Sequence, residues 1–202
     1  MIVIAYYTDN YKKHAARLVD SCREFGIDYR IENIPSKGKW LDNCAYKPTF
    51  IKAMLKKLKQ PVLYVDADTE FKEYPKLLDY LECDIAYHTI DWGSIYESRR
   101  GDFELLSGTL YFNDTKPAHD ILDEWESACD GTRFDQLELD RIMNAKRGYM
   151  GDLDLRVYDL GSEYCHIKDF TKGTPVILHH QASREAKAIE LQGVYTPGNG
   201  QA

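Results

Sequence analysis

The chain has 202 residues, 44% of them apolar, and a formal net charge of −7 at pH 7. This length and apolar content suffice for one domain with a substantial core, whereas the acidic balance argues against a general nucleic-acid-binding surface, which needs a basic footprint. The apolar runs are shorter than the roughly 18 to 20 residues that cross a bilayer, and the N-terminal one lacks the basic start of a signal peptide, so we expect a cytoplasmic protein without an integral membrane segment.

Strand and helix patterns alternate through the first third of the chain. Apolar side chains at Ala15, Leu18 and Cys22 recur with helical spacing, whereas the run before Asp66 is continuously apolar, which is typical of a strand buried on both faces. The predicted elements are a strand over 2–7, a helix over 11–25, a strand over 29–34, an extended loop over 35–40, a helix over 47–58 and a strand over 62–65.

The alternation continues along the rest of the chain and predicts an α/β fold. A strand over 104–113 is interrupted by Gly108, and the segment 89–103 has no clear period, so it is predicted to be a loop. The other predicted elements are a short helix over 75–81, a strand over 83–88, helices over 117–129 and 135–144, and late strands over 155–160 and 175–180.

Two carboxylates follow the strand over 62–65. Asp66 and Asp68 are one residue apart, so on a regular strand they would share a face and repel each other at neutral pH. Mg²⁺ or Mn²⁺ would relieve that repulsion and leave positions open for substrate phosphates. The carboxyl end of a strand in an open α/β sheet is also where ligands bind. The alternative is a solvated turn in which both aspartates act as caps.

Two histidines, His179 and His180, end the last apolar strand. A neutral imidazole at a strand end suits a transition-type divalent ion as a further ligand. Lone histidines are more often structural, but the pairing with a strand-end D-x-D favours the metal interpretation. The residues alone leave open which of the two histidines would bind the ion.

Five segments, taken together and in order, resemble the GT-A glycosyltransferases of the nucleotide-diphospho-sugar transferase superfamily, specifically the small type of bacterial and phage genomes. Each segment is a weak signal alone, but their order and spacing extend over residues 2–187. The segments are "WLDNCAYKPTFI" (40–51), "LYVDADTEF" (63–71), "LLSGTLYFN" (105–113), "FDQLELDRIM" (134–143) and "HHQASR" (179–184).

The resemblance implies a GT-A fold, with a mixed central sheet flanked by helices, in one catalytic domain over 1–190 and a tail over 191–202. It also implies metal-dependent transfer of a sugar from a nucleotide-diphosphate sugar, UDP-linked by preference, to an acceptor hydroxyl. Two other interpretations stay open: a sugar nucleotidyltransferase, and a non-catalytic nucleotide- or sugar-binding module of the same fold. A Gly-rich basic loop after the first strand, which the nucleotidyltransferase would need, is absent from the sequence.

The metal and donor residues follow from the matching positions. Asp66 and Asp68 would hold Mn²⁺ or Mg²⁺ against the diphosphate, with His179 as the further ligand and His180 as its alternative. Lys47 and Arg184 would be cations beside the donor, where they could stabilise the departing nucleoside diphosphate. For these two cations the alternative is a surface salt bridge.

Further matching positions concern the nucleotide, the donor sugar and catalysis. Tyr7 and Thr8, at the end of the first strand, would contact the base and ribose, although Tyr7 could equally be a core aromatic. Asp135 would lie beside the anomeric carbon, although it also suits a helix N-cap completed by Glu138. The remaining implied positions are Ser107 and Gly108 near the donor sugar, Gln136 beside the anomeric carbon, and Asp91 and Glu104 as further candidate catalytic carboxylates.

The acceptor is the least determined part of the prediction. The loop over 89–103 carries Trp92 and Tyr96, whose rings can stack on sugars, and we expect it to face the acceptor. Arg99 and Arg100 in the same loop would also suit a phosphorylated or nucleic-acid acceptor. A glycan, a protein, a small molecule and a modified nucleic acid all remain open as acceptors.

Overall fold

The structure is a computed structural model that describes residues 1–148 and 154–182. The predicted tail over 191–202 and Arg184 lie outside the described residues. The strands are β1 (Ile2–Tyr7), β2 (Tyr29–Asn33), β3 (Val62–Val65), β4 (Thr69–Phe71), β5 (Ile85–Asp91), β6 (Phe103–Phe112), β7 (Val157–Asp159), β8 (His166–Ile167) and β9 (Ile177–His179). The helices are α1 (Lys12–Glu24), α2 (Trp40–Ala45), α3 (Lys47–Leu58), α4 (Lys116–Ala128) and α5 (Asp135–Gly148).

Six strands form the central sheet, in the order β2-β1-β3-β6-β5-β7. β1 is parallel to β2 and β3, whereas β6 runs antiparallel to both of its neighbours, β3 and β5. A second sheet has the order β4-β9-β8. The predicted α/β fold with a mixed central sheet is therefore confirmed.

Helices cover both faces of the central sheet, and β3 shows why its sequence is continuously apolar. All four of its residues are at most 2% exposed. Val62 and Tyr64 pack into a core cluster with α3, α4 and α5, whereas Leu63 and Val65 pack into another with α1. Because side chains alternate along a strand, a strand covered on both faces needs apolar residues at every position.

The helix α2 was not predicted, since its first residue, Trp40, ends the segment predicted to be a loop. The carboxylate of Asp42 in the first turn accepts a hydrogen bond from the backbone N–H of Lys39 at 2.8 Å. This contact satisfies one of the N–H groups that a helix start leaves without a partner. A lysine before the helix is not among the residues that normally signal a helix start.

The segment 89–103, predicted to be a loop, is a loop only in its central part, between β5 and β6. β5 continues to Asp91 and β6 begins at Phe103, with 3-10 turns at Trp92–Ser94 and Glu97–Arg99 between them. The segment is thus the connection of a hairpin. Within the described residues, no helix is both long and apolar enough to span a membrane.

At Gly108, where the sequence predicted an interruption of β6, the structure shows a shift in the register between β6 and β5. β6 is continuous, but Tyr87 of β5 lies opposite Leu110, whereas the next residue, His88, lies opposite Leu106. Three residues of β6, Ser107 to Thr109, therefore bulge out of the pairing with β5. Such bulges redirect side chains beside functional sites, and here the bulge borders the main cavity of the molecule.

Candidate active site

A cavity of about 740 Å³ opens at the carboxyl ends of β1 and β3. The strand ends supply two of its walls, and the β6 bulge, α2, the start of α5, β8 and the end of β9 are among the elements that supply the others. The structure brings together in this cavity most of the side chains that the sequence singled out, namely Tyr7, Thr8, Lys47, Asp66, Asp68, Glu104, Ser107, Gly108, Asp135, Gln136 and His179.

Asp66, Asp68 and His179 form a group that could hold a metal ion, because one ligand atom from each lies within 4.8 Å of the others. The chain turns sharply after β3, where the N–H of Thr69 donates to the carbonyl of Asp66 at 3.1 Å. The following strand, β4, pairs with β9 so that Thr69 lies opposite His179. The small second sheet therefore brings a histidine 113 positions from Asp66 in the sequence next to the two aspartates.

The imidazole of His179 is held by two threonines. Its Nε2 lies 2.8 Å from Thr109 Oγ1 and its Nδ1 lies 3.4 Å from Thr69 Oγ1. The side chain is only 4% exposed, and this burial lowers the pKa of His179 below its ordinary value, although Asp68 and Asp66 oppose the shift. The ring is therefore neutral at pH 7, the form that binds metals.

Gly108 leaves the space in front of this group open. A Cβ added at Gly108 would lie 2.8 Å from Cε1 and 3.0 Å from Nδ1 of His179, and 3.3 Å from Oδ2 of Asp66. Any other residue at 108 would thus press on the imidazole. Two carboxylates and a neutral imidazole around a space kept open by a glycine fit Mn²⁺, and they also fit Mg²⁺ if most of its ligands are carboxylate and phosphate oxygens.

His180 is directed elsewhere. Its Nε2 lies 2.7 Å from Oε2 of Glu70, and its backbone N–H donates to the carbonyl of Asp68 at 3.1 Å. Adjacent residues at a strand end point to opposite sides, so only one of the two histidines can join the aspartates. The structure groups His179 with them and pairs His180 with Glu70.

Lys47 lies at the floor of the cavity between two carboxylates. Its Nζ is 2.9 Å from Asp135 Oδ2 and 3.3 Å from Asp66 Oδ1, and it donates to Ser107 Oγ at 2.9 Å. Burial alone would lower the pKa of Lys47, but Asp135 and Asp66 outweigh burial and raise it well above its ordinary value. At 4% exposure Lys47 is a buried cation and does not form the surface salt bridge considered as its alternative.

Asp135 is the first residue of α5, and its carboxylate faces the cavity floor. It accepts from Ser107 Oγ at 3.0 Å in addition to pairing with Lys47. Its carbonyl accepts from Trp125 Nε1 at 2.8 Å, which fixes the start of the helix against α4. The carboxylate is thus committed to the Lys47 and Ser107 side chains, and the N-cap alternative does not account for it.

A chain of hydrogen bonds runs from the β6 bulge to the turn after β5. Gln136 Oε1 accepts from the N–H of Ser107 at 3.0 Å, and Gln136 Nε2 donates to Glu104 Oε1 at 2.5 Å. The other oxygen of Glu104 accepts from Trp92 Nε1 at 2.6 Å. Both polar ends of the Glu104 and Gln136 side chains are engaged, so these two side chains have fixed orientations.

Asp91, like His180, is a predicted candidate that the structure separates from the others. Its carboxylate accepts from the N–H of Gly93 at 2.9 Å and so caps the turn that follows β5. Among the described residues, those that line the cavity do not include Asp91.

Several cavity residues were missed in the sequence. Asn10 and Tyr11 lie two and three residues after Thr8, and their place just after a strand end could have identified them. Burial raises the pKa of Tyr11 to about 12, so its phenol is neutral and can donate a hydrogen bond. Trp40 and Phe134 come from α2 and from the residue before α5, and their rings meet edge-on at 5.6 Å. Nothing in the local sequence of these two predicts that contact.

Charge in the cavity is unbalanced. The described residues that line it include four carboxylates, of Asp66, Asp68, Glu104 and Asp135, but among Lys and Arg residues only Lys47. Repulsion among carboxylates that a single lysine cannot offset is costly in a cavity partly shielded from water. The site therefore favours the binding of a cation.

Several solved structures with a similar fold are glycosyltransferases. A glycosyltransferase involved in the glycosylation of the major capsid of PBCV-1 is 16% identical, with a TM-score of 0.59 over 94% of this chain and 98% of that one. The galactosyltransferase LgtC, solved with donor and acceptor sugar analogs, is 13% identical, with a TM-score of 0.53 over 97% and 96%. The glycosyltransferase GlyE of Streptococcus pneumoniae TIGR4 is 14% identical, with a TM-score of 0.60 over 99% of this chain and 65% of that one.

Sequence comparison adds nothing to this, since no protein-family model and no curated protein matches the chain. The structural likeness nevertheless extends over nearly the whole chain. The chain has the GT-A glycosyltransferase fold, as its motifs predicted.

Proposed function

We propose that the protein is a metal-dependent glycosyltransferase that moves a sugar from a nucleotide-diphosphate sugar to an acceptor hydroxyl. The observation that carries the proposal is the acidic cavity, in which Asp66, Asp68 and His179 converge at the strand ends of a glycosyltransferase fold. A diphosphate brought into such a cavity would be repelled unless a divalent cation entered with it. An anionic ligand therefore suits this charge distribution only if a cation arrives with it.

The metal is proposed to be Mn²⁺ or Mg²⁺, held by Asp66, Asp68 and His179. When bound, the ion would offset the charge that develops on the departing nucleoside diphosphate. Lys47 would contribute a second, fixed positive charge, because Asp135 and Asp66 keep it protonated. A cation already in place needs no reorganisation during the reaction, which is the basis of electrostatic catalysis.

The nucleotide is proposed to lie at the end of β1, against Tyr7, Thr8, Asn10 and Tyr11. These residues line the same cavity as the aspartates, and their rings and hydrogen-bonding groups suit a base and a ribose. The preference for UDP rests on the family resemblance alone. Arg184, from the same resemblance, is proposed as a further cation beside the donor.

The donor sugar is proposed to lie between the β6 bulge and the start of α5. Gly108 allows a close approach of backbone and sugar, and Ser107, Asp135 and Gln136 border the same space. Because Asp135 is paired with Lys47 and Gln136 is bonded at both ends, these two residues would orient the donor. Glu104, rather than Asp91, is the carboxylate proposed to face the acceptor, since it lines the cavity.

The test is a calorimetric and thermal-shift titration of UDP, GDP, CDP and their sugar conjugates, with and without Mn²⁺. We expect one nucleotide to bind only with the metal, and this binding to be lost in His179→Ala. His180→Ala is the matched control, because it removes the same side chain one position away and should leave metal-dependent binding in place. Nucleotide binding that ignores the metal, or equal effects of the two histidine variants, would contradict the proposal.

A further inference from the structure

We propose that the acceptor is a neutral sugar that binds on the wall of the cavity formed by Trp92, Glu104, Leu106 and Ile167, here called the acceptor wall. The inference rests on the proposed glycosyl transfer and adds the chemical class of the second substrate. It follows from three features of the acceptor wall: its fixed carboxylate, its apolar side chains and its lack of an available cation.

The fixed carboxylate belongs to Glu104. Gln136 holds one of its oxygens at 2.5 Å and the indole N–H of Trp92 holds the other at 2.6 Å. Each carboxylate oxygen has two acceptor positions, so one position on each remains for hydroxyl groups. The carboxylate is thus bonded directly to Gln136, the residue proposed to orient the donor. A hydroxyl that donates to Glu104 would therefore lie close to the donor sugar.

The apolar part surrounds this carboxylate. Leu106 and Ile167 are 6% and 7% exposed and belong to one small core cluster, against which Trp92 packs. All three also line the cavity. A surface that places an indole and two aliphatic side chains next to a single hydrogen-bond acceptor matches a pyranose ring, which has C–H faces and hydroxyl edges.

The charge of the acceptor wall selects against acidic acceptors. Arg99, which had suggested a phosphorylated or nucleic-acid acceptor, pairs with Asp102 at 2.6 Å and lies over the Trp92 ring at 4.6 Å. The same guanidinium lies 4.0 Å from Glu104 Oε2, so two carboxylates share its one charge, and among the described cavity residues the one lysine, Lys47, is committed to two further carboxylates. A phosphate or carboxylate on the acceptor would therefore compete with Glu104 and Asp102 for a single guanidinium.

Saturation-transfer NMR with defined probes tests this inference. The probes are methyl β-D-glucopyranoside and methyl β-D-galactopyranoside as neutral sugars, with methyl β-D-glucuronide and glucose 6-phosphate as acidic ones, in the presence of UDP and Mg²⁺. We expect at least one neutral glycoside to bind about tenfold more tightly than the acidic probes, and Trp92→Ala to weaken it by about tenfold. Tyr80→Ala, which removes an aromatic ring that is 82% exposed, is the control and should change nothing.

Glu104→Gln separates charge from shape, because it removes the negative charge and keeps the size of the side chain. Glu104→Gln should therefore reduce the difference in affinity between the neutral and the acidic probes. If Trp92→Ala fails to fold, Trp92→Phe keeps an aromatic ring at this position and removes the indole N–H. Tighter binding of an acidic probe, or no saturation transfer from any glycoside, would overturn the inference. Calorimetry with nucleotides on the wild type distinguishes a failure of this inference from a failure of the proposed function. If nucleotides bind but glycosides do not, the neutral acceptor is contradicted and the proposed function is not.

Discussion

Two sites that contain carboxylates lie at opposite ends of the strands of the central sheet, and only one of them has unmatched charge. At the amino end of β5, Asp84 is 2% exposed and accepts from the N–H of Arg156 at 2.7 Å and from Thr115 Oγ1 at 2.8 Å, and it pairs with the Arg156 guanidinium at 3.3 Å. At the carboxyl end of β3, Asp66 and Asp135 share Lys47, and Asp68 and Glu104 add two further carboxylates to the same cavity.

The comparison shows that burial of a carboxylate does not by itself indicate a functional site. Asp84 has one base for its one charge, and its hydrogen bonds tie β5 to β7 and to the start of α4. The cavity group has more acids than bases, a conflict that folding alone would not favour. Unbalanced charge of this kind is expected where a ligand supplies the missing partner.

The largest expected effect comes from removing the one lysine of the cavity. Lys47→Met should lower the free energy of unfolding by about 3–5 kcal/mol, because it leaves the buried carboxylate of Asp135, and the partly exposed one of Asp66 beside it, without a cation. Urea denaturation measures the change. Adding Asp135→Asn to Lys47→Met should recover part of the loss, since one uncompensated charge is then removed. A loss below about 1 kcal/mol would mean that Lys47 behaves like a surface charge.

The next effect separates the two carboxylate groups by their response to metal. Mn²⁺ at one hundred times its Kd should add about 2.7 kcal/mol to the free energy of unfolding, and Asp68→Ala should abolish that gain. Asp84→Ala should retain the gain, because Asp84 lies at the opposite end of the strands from the cavity. Thermal denaturation with and without Mn²⁺ provides the measurement. If both variants lost the stabilisation by Mn²⁺ equally, the cavity would not be distinguished from the Asp84 site as the place where the metal binds.

Asp84→Ala should nevertheless reduce stability in the absence of metal. The loss of its hydrogen bonds is expected to cost about 1–3 kcal/mol. Burial alone would raise the pKa of Asp84, but Arg156 and Thr115 outweigh burial and lower it. The stabilisation is therefore present above the unfolded-state pKa of about 3.9 and is lost as the pH falls through the lower folded-state pKa.

The pH dependence provides the check for this prediction. Denaturation of wild type and Asp84→Ala should differ most near neutral pH, and the two should converge in acid. A difference that grows below pH 4 would contradict the assigned direction of the pKa shift.

The smallest expected effect concerns a hydroxyl at the edge of the metal group. Tyr64 Oη donates to Asp66 Oδ1 at 3.0 Å, so Tyr64→Phe should change the free energy of unfolding by only about 1 kcal/mol. It should weaken Mn²⁺ binding by roughly tenfold, as is typical when a metal ligand loses its supporting hydrogen bond. Calorimetric Mn²⁺ titration tests this, with Tyr111→Phe as the control from the same sheet.

Much of the fold could be predicted from local patterns in the sequence. The boundaries of β1, α3 and β3 agree with the predicted ones, because an apolar strand or an amphipathic helix carries its periodicity within a few residues. The helix α2 was missed, because a backbone contact of Asp42 begins it and the sequence shows no usual start signal. The aspartates were found because carboxylates directly after an apolar strand conflict with their surroundings unless they have a ligand.

The sequence by itself therefore determined the α/β fold, the position of the two aspartates at a strand end and many, but not all, of the side chains around them. Only the tertiary structure decided that His179 rather than His180 joins the aspartates, that Asp91 stays outside the cavity, and that Arg99 is neutralised by Asp102. The physical reason is distance along the chain. Periodicity and turn chemistry act over a few residues, whereas these choices depend on strand pairing and charge pairing between segments that meet only in the folded state.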